Sequence, residues 1–137
     1  MAGPVQWNES MQIHVFEIDM EHKQLVDLAN AVYEASRGEG AAAEVEKRAL
    51  VTLIDYVKTH FATEKRLMAE YGYPDREAHQ ARHAEFTEKL ADLCRRHQLE
   101  KKAVIGEILS FLVGWIINHI MAEDRRLGEF LNEKGVR

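Results

Sequence analysis

The sequence predicts an all-α protein, an antiparallel up-down four-helix bundle preceded by an N-terminal arm. Three observations carry this reading. Apolar residues recur in steps of three and four through four separate stretches, the few glycines and prolines gather between stretches, and no run alternates with the period of two of a strand. At 137 residues the chain is one domain's worth and can bury a core without staples. We read a single domain over 1–137, with an arm over 1–17 and helices over about 19–37, 42–71, 75–97 and 103–132.

The first helix is expected to begin with Asp19 as N-cap and to stop before Gly38 and Gly40, with the seam Ile18, His22, Leu25, Ala29, Val32. The second runs from about Ala42 to Tyr71, with the seam Leu50, Leu53, Val57, His60, Glu64, Leu67, Tyr71, and ends at Gly72 and Pro74. Asp75 can cap the third, whose seam is His79, His83, Phe86, Leu90, Leu93, His97. A further break between His97 and Ala103 contains no Gly or Pro and is inferred from the pattern. The fourth seam is Ile105, Ile108, Leu112, Trp115, His119. Alternation of three and four keeps one stripe on one helix face, and four such stripes joined by short links bury one another in a bundle.

Composition narrows the function. Hydrophobic residues make up 46% and charged residues 30%, the balance of a soluble globule. A net charge of −5 leaves no basic face for a phosphate backbone, so nucleic acid is not expected as a partner. The first residues lack the basic start and apolar run of a secretory signal. The longest apolar stretch, Ile105 to Met121, is interrupted by Glu107, Asn118 and His119 and does not read as a membrane span. The lone Cys94 suits a reducing compartment. The expectation is a soluble cytoplasmic protein.

The informative residues sit inside the seams. Positions that ought to be Leu, Ile, Val or Ala hold His22, His60, Glu64, His79, His83 and His119. A lone His on an apolar face is usually a hydrogen-bonded core residue. Six polar residues on the inner faces of all four helices are a different case: a buried carboxylate costs several kcal/mol without partners, and each imidazole has two nitrogens to satisfy. A cation resolves the load. His60 and Glu64 are four apart, as are His79 and His83, so each pair projects from one helix face onto one centre.

Imidazole with carboxylate suits iron, zinc, copper or nickel, whereas calcium and magnesium want oxygen. A structural zinc needs four ligands, and the donors here exceed that. With Asp124 they number seven, which suggests two metals. Of roughly twelve positions on two octahedral ions, five histidines, two bridging carboxylates and a bridging hydroxide or oxide fill all but one. One vacancy suits one small diatomic ligand.

These residues carry a family resemblance. His22 within IDMEHKQLV, HFATE at His60–Glu64, HQARH at His79–His83 and WIINHIMAED ending at Asp124 resemble the hemerythrins, in particular the bacterial single-domain ones. The resemblance implies a di-iron centre in the bundle core. His79, His83 and His119 would hold one iron, His22 and His60 the other, and Glu64 and Asp124 would bridge. It further implies reversible O2 binding at the two-histidine iron, in an apolar pocket of Leu25, Trp115, Ile116 and Ile120. O2 is then the ligand, and in delivery an oxygen-consuming enzyme would be the recipient.

Ligand chemistry supports a carrier over an enzyme. Ferritin-like di-iron oxidases draw on four Glu and two His, and anionic donors favour the higher oxidation states that cleave O2. Five neutral imidazoles and two carboxylates leave the pair less electron-rich, and the four pocket residues offer no acid or base. The expected function is O2 storage, delivery or sensing; with no second domain in the sequence, storage or delivery is favoured. The rival readings are a di-iron oxidase, peroxidase or nitric oxide-reacting enzyme, and an iron-storage or iron-regulation protein. Lys65, where bacterial relatives usually have an acid, should face outward. His14 reads as solvent-accessible or backbone-bonded, with a pocket-gating role as the sharper alternative. His97 lies some 21 Å along the helix from His83, too far to reach the metals. Cys94, Met68 and Trp7 read as packing.

One geometric problem remains. His119 and Asp124 are five apart, so a regular helix would set them about 140° from each other. Neither Gly nor Pro lies between them, so the expectation is a π-bulge that brings both onto one face.

Overall fold

The computed structural model describes residues 5–37, 42–99 and 104–137. Its helices are α1, Phe16–Arg37; α2, Ala42–Tyr71; α3, Arg76–Leu99; and a fourth helix of three consecutive parts, α4 at Ile105–Trp115, a π-helical segment at Ile116–Asp124 and α5 at Arg125–Glu133. No strand occurs among the described residues. The expected stop at Gly38–Gly40 and most of the break before Ala103 lie outside them.

The first helix starts one turn earlier than Asp19. The Asp19 carboxylate accepts the backbone N–H of Ile13 (2.9 Å) and of His14 (3.0 Å), so it ties down the arm instead of capping the helix from outside. That clasp holds His14 at φ 61°, and the chain is already helical at Phe16. His14 itself is exposed, and its carbonyl accepts from Asn132 Nδ2 at 2.9 Å. Between α2 and α3 the stop is a Schellman turn. Gly72 takes φ +70°, which it can adopt without a Cβ clash, and Tyr73 N–H reaches back to the Met68 carbonyl at 2.9 Å. Asp75 then accepts the first helical bond of α3, from His79 N–H.

The π-helical segment is where the sequence required a change of phase. Over nine residues the wider turn brings His119 and Asp124, five apart, into the same interior. By length and composition the whole Ile105–Glu133 helix would also pass as a membrane span. Here its inner stripe of Ile108, Leu112, Ile116, Ile120 and Leu127 is buried in the bundle.

The core is divided. One cluster, including Leu25, Val32, Leu53, Phe86, Leu93, Ile108, Leu112 and Ile116, fills most of the bundle. A smaller one of Ile13, Val15, Ile18, Leu67, Met68, Tyr73, Leu127 and Leu131 closes the end under the arm. Between them, on every helix, lies a polar layer: His22 separates Ile18 from Leu25, Glu64 precedes Leu67, and Asp124 precedes Leu127.

Candidate metal centre

All seven expected donors converge. His22 comes from α1, His60 and Glu64 from α2, His79 and His83 from α3, His119 and Asp124 from the π-helical segment, and none is more than 6% exposed. Their donor atoms form two overlapping groups. Glu64, His79, His83, His119 and Asp124 make one; His22, His60, Glu64 and Asp124 make the other; within each, the atoms lie within 4.8 Å of one another.

The carboxylates are shared in a specific way. Glu64 Oε1 faces His79 Nε2 (2.8 Å) and His83 Nε2 (3.0 Å), while its Oε2 faces His60 Nε2 (2.8 Å). Asp124 Oδ1 faces His79 Nε2 (2.9 Å) and His119 Nε2 (3.1 Å), while its Oδ2 faces His22 Nε2 (2.9 Å). Each carboxylate thus presents one oxygen to a three-histidine side and the other to a two-histidine side.

Hydrogen bonds account for only part of these approaches, His79 Nε2 with Glu64 Oε1 among them. Glu64 Oε2, His83 Nε2, His119 Nε2 and both Asp124 oxygens have no hydrogen-bond partner among the described residues, although all are buried. His22 Nε2 and His60 Nε2 meet nitrogen to nitrogen at 3.1 Å. Buried nitrogens and carboxylate oxygens left without partners in one layer are aimed at shared positively charged centres. The donor set therefore fits a metal pair with nitrogen-rich coordination.

Electrostatics agree. Burial alone would lower His60, but the Glu64 charge and bonds to Glu21 and Glu64 outweigh it and push the imidazole up to about 10. Burial likewise opposes the rise at His79, which its contacts with Asp124 and Glu64 carry to about 10. Burial would raise Glu64 and Asp124; the surrounding imidazoles instead hold both below the ordinary carboxylate range. His83 is lowered, chiefly by burial. The titrations of Glu64 and Asp124 therefore depend on those of the imidazoles they face, His22, His60 and His79.

Two outer carboxylates orient the ligands. Glu21 Oε1 lies 2.7 Å from His60 Nδ1, and Thr63 Oγ1 donates to Glu21 Oε2 at 3.1 Å. Glu123 Oε1 lies 3.0 Å from His119 Nδ1. Such partners fix the ring so that Nε2 faces the centre. Sequence reasoning missed both, although each adjoins a ligand: Glu21 precedes His22, and Glu123 precedes Asp124.

Of the expected pocket residues, Ile116 and Ile120 are fully buried, and Leu25 borders a cavity of about 210 Å³ between α1 and α2. Trp115 stands elsewhere, face to face with His119 at 3.9 Å, where it lines a cavity of about 350 Å³ between α3 and the fourth helix. Phe61 stacks on His83 at 3.8 Å. Tyr56, also missed, stacks on His60 at 4.8 Å and 22°. Lys65 is exposed, and Cys94 is half-buried against the main core. His97 bonds far from the layer: its Nδ1 lies 2.6 Å from Glu46 Oε1.

A bundle whose inner faces all converge on one buried set of nitrogen and oxygen donors defines a metal-binding four-helix protein. Residues 14–131 match the family model described as the hemerythrin HHE cation binding domain. The chain is 30% identical over 119 residues to a bacteriohemerythrin of Stenotrophomonas maltophilia, covering 87% of this chain and 76% of that protein. It is 32% identical over 114 residues to one from Methylococcus capsulatus, covering 83% and 86%. A crystal structure of a hemerythrin point mutant superposes with a TM-score of 0.83 at 29% identity, covering 95% of this chain and 98% of that one. The chain belongs to the hemerythrin family, classically one of O2 binding through non-heme iron.

Proposed function

We propose that this chain binds O2 reversibly at two non-heme iron ions, as a carrier for storage or delivery in the cytoplasm and not as an enzyme. The observation that supports this most is the division of each carboxylate between the two histidine sides. His79, His83 and His119 would hold one ion and His22 and His60 the other, with Glu64 and Asp124 spanning both. The side with fewer histidines is the one left able to take an added ligand. Bound iron supplies the electrons that O2 shares on binding. The protein supplies the rest: neutral imidazoles held in orientation by Glu21 and Glu123, and an apolar wall of Leu25, Ile116 and Ile120 that keeps water from the ligand.

An absorption spectrum of the aerobic iron-loaded protein, repeated after deoxygenation, tests this reading. Bands that vanish and return with O2 support a carrier; one-way bleaching identifies an oxidase. Leu25→Ala should hasten decay of the oxygenated band by admitting water from the α1–α2 cavity, and an unchanged decay would remove Leu25 from the pocket.

A further inference from the structure

Every pocket residue expected from the sequence is apolar or an indole, yet a phenol, Tyr56, lines the α1–α2 cavity beside Leu25. We propose that Tyr56 is a positioning residue whose O–H grips the outer end of a small ligand in this pocket. The site would thereby select ligands whose far atom accepts a hydrogen bond. The inference deepens the O2-binding reading and rests on it.

Tyr56 is tied to both halves of the centre. Its ring stacks on His60, a ligand of the two-histidine side. Its oxygen is 3.5 Å from Trp115 Nε1, and that indole lies flat on His119, a ligand of the three-histidine side, at 3.9 Å and 15°. Phe61 and Phe86 pack against the phenol ring at 5.7 and 6.0 Å and fix its direction. The hydroxyl is therefore held between an imidazole of one set and the indole covering an imidazole of the other. Tyr56 also borders the α1–α2 cavity beside Leu25, so it stands between that cavity and His60.

The hydrogen-bond state of the hydroxyl is the second observation. Its oxygen accepts a long bond from Trp115, but no acceptor takes its proton among the described residues. Leaving a buried donor unpaired costs on the order of 1–3 kcal/mol, and such groups are rare unless something is meant to meet them. Other buried polar groups here are paired: Thr63 with Glu21 and with the Thr59 carbonyl, Glu46 with His97 and Val104 N–H. The side-chain atoms with no partner at all belong to the metal donors themselves. The phenol whose proton has no acceptor thus stacks on His60, a ligand of the two-histidine side, and borders the cavity beside Leu25.

Dioxygen and azide both offer a lone pair on the atom remote from the metal, and a phenol O–H can meet it. The oxygen of Tyr56 accepts from Trp115, and its O–H proton is left to donate. Tyr56→Phe removes that donor and keeps the ring that packs on His60.

The test uses azide with the metal-loaded full chain. The Tyr56→Phe protein should keep its metal content and melting temperature, while its azide affinity falls about tenfold, the weight of one hydrogen bond. The azide infrared stretch should shift in D2O for the parent protein and stay put in Tyr56→Phe. Trp115→Phe, which leaves the phenol in place, should preserve the D2O shift. Equal azide affinity and no isotope-sensitive band in either protein, with metal content intact, overturns the proposal while leaving the carrier reading standing. A parent protein that takes up no metal pair brings down both.

Discussion

Glu64 and Asp124 are fully buried together, and a buried carboxylate is costly unless it is paired. Losing one should therefore do more than remove two ligand atoms. Glu64→Ala leaves five imidazoles facing one carboxylate, and we expect iron content per chain to fall from two to below one by elemental analysis. His97→Ala should leave iron content unchanged and cost about 1–3 kcal/mol of stability, since it strips one of two partners from the buried Glu46 carboxylate. A protonation experiment probes the same layer. His60 and His79 stand at about 10 without metal, against an ordinary value of 6.5, so both are charged at pH 7. Only neutral imidazole binds a metal, so loading at pH 7 must expel at least these two protons. An indicator dye in weak buffer should record that release, shrinking toward zero as the pH passes about 10. The sign for the metal-free fold runs with it: a raised imidazole contributes stability in full below 6.5, and that contribution fades as the pH climbs through about 10.

The π-helical segment behaves as a one-residue insertion in a helix that otherwise keeps phase. Counting on from His119 by threes and fours reaches Arg126, which is exposed; the buried residues are Leu127 and Leu131, one place later. Deleting Ala122 should restore a regular helix and turn everything after it by about 100°. The metal affinity and the packing of Leu127 and Leu131 would be lost together, seen as iron content below one per chain and a melting temperature lower by several degrees. The shifted apolar phase was written in the sequence, and the spacing of His119 and Asp124 revealed its cause. Other features were less legible. The four seams and seven donors could be read because burial imposes a period, and a polar residue on that period stands out. Asp19 looked like an outside cap because its reach to Ile13 and His14 depends on how the arm folds back. Glu46 and Glu21 act through hydrogen bonds to residues 51 and 39 places away, which no local spacing reports. Gly128 was equally silent. A Cβ there would lie 2.5 Å from the Ile13 Cβ, so the arm crosses the fourth helix only because the side chain is missing. Gly128→Ala should cost about 1–3 kcal/mol through overpacking, despite the better helix propensity of alanine, and thermal unfolding will measure it.

Across the whole molecule, the polar layer separates two apolar clusters of unequal size. The larger spans α1 to α4 and is fastened at its far end by Glu46, which binds His97 of α3 and the Val104 N–H ahead of α4. The smaller holds eight buried residues, two of them from the arm. Stripping the metals with a strong chelator should lower the melting temperature. Binding that favours the native state by a hundredfold excess over Kd contributes about 2.7 kcal/mol, and the effect should reverse when iron is restored. The division has a kinetic meaning as well. Eight side chains bury too little surface to stay closed alone, so the end under the arm is held shut largely by the layer beneath it. The chain should open from one pole. Amide hydrogens of Val15, Leu127 and Leu131 would exchange in the metal-free protein long before those of Leu53 and Leu93, and iron would slow the first set alone.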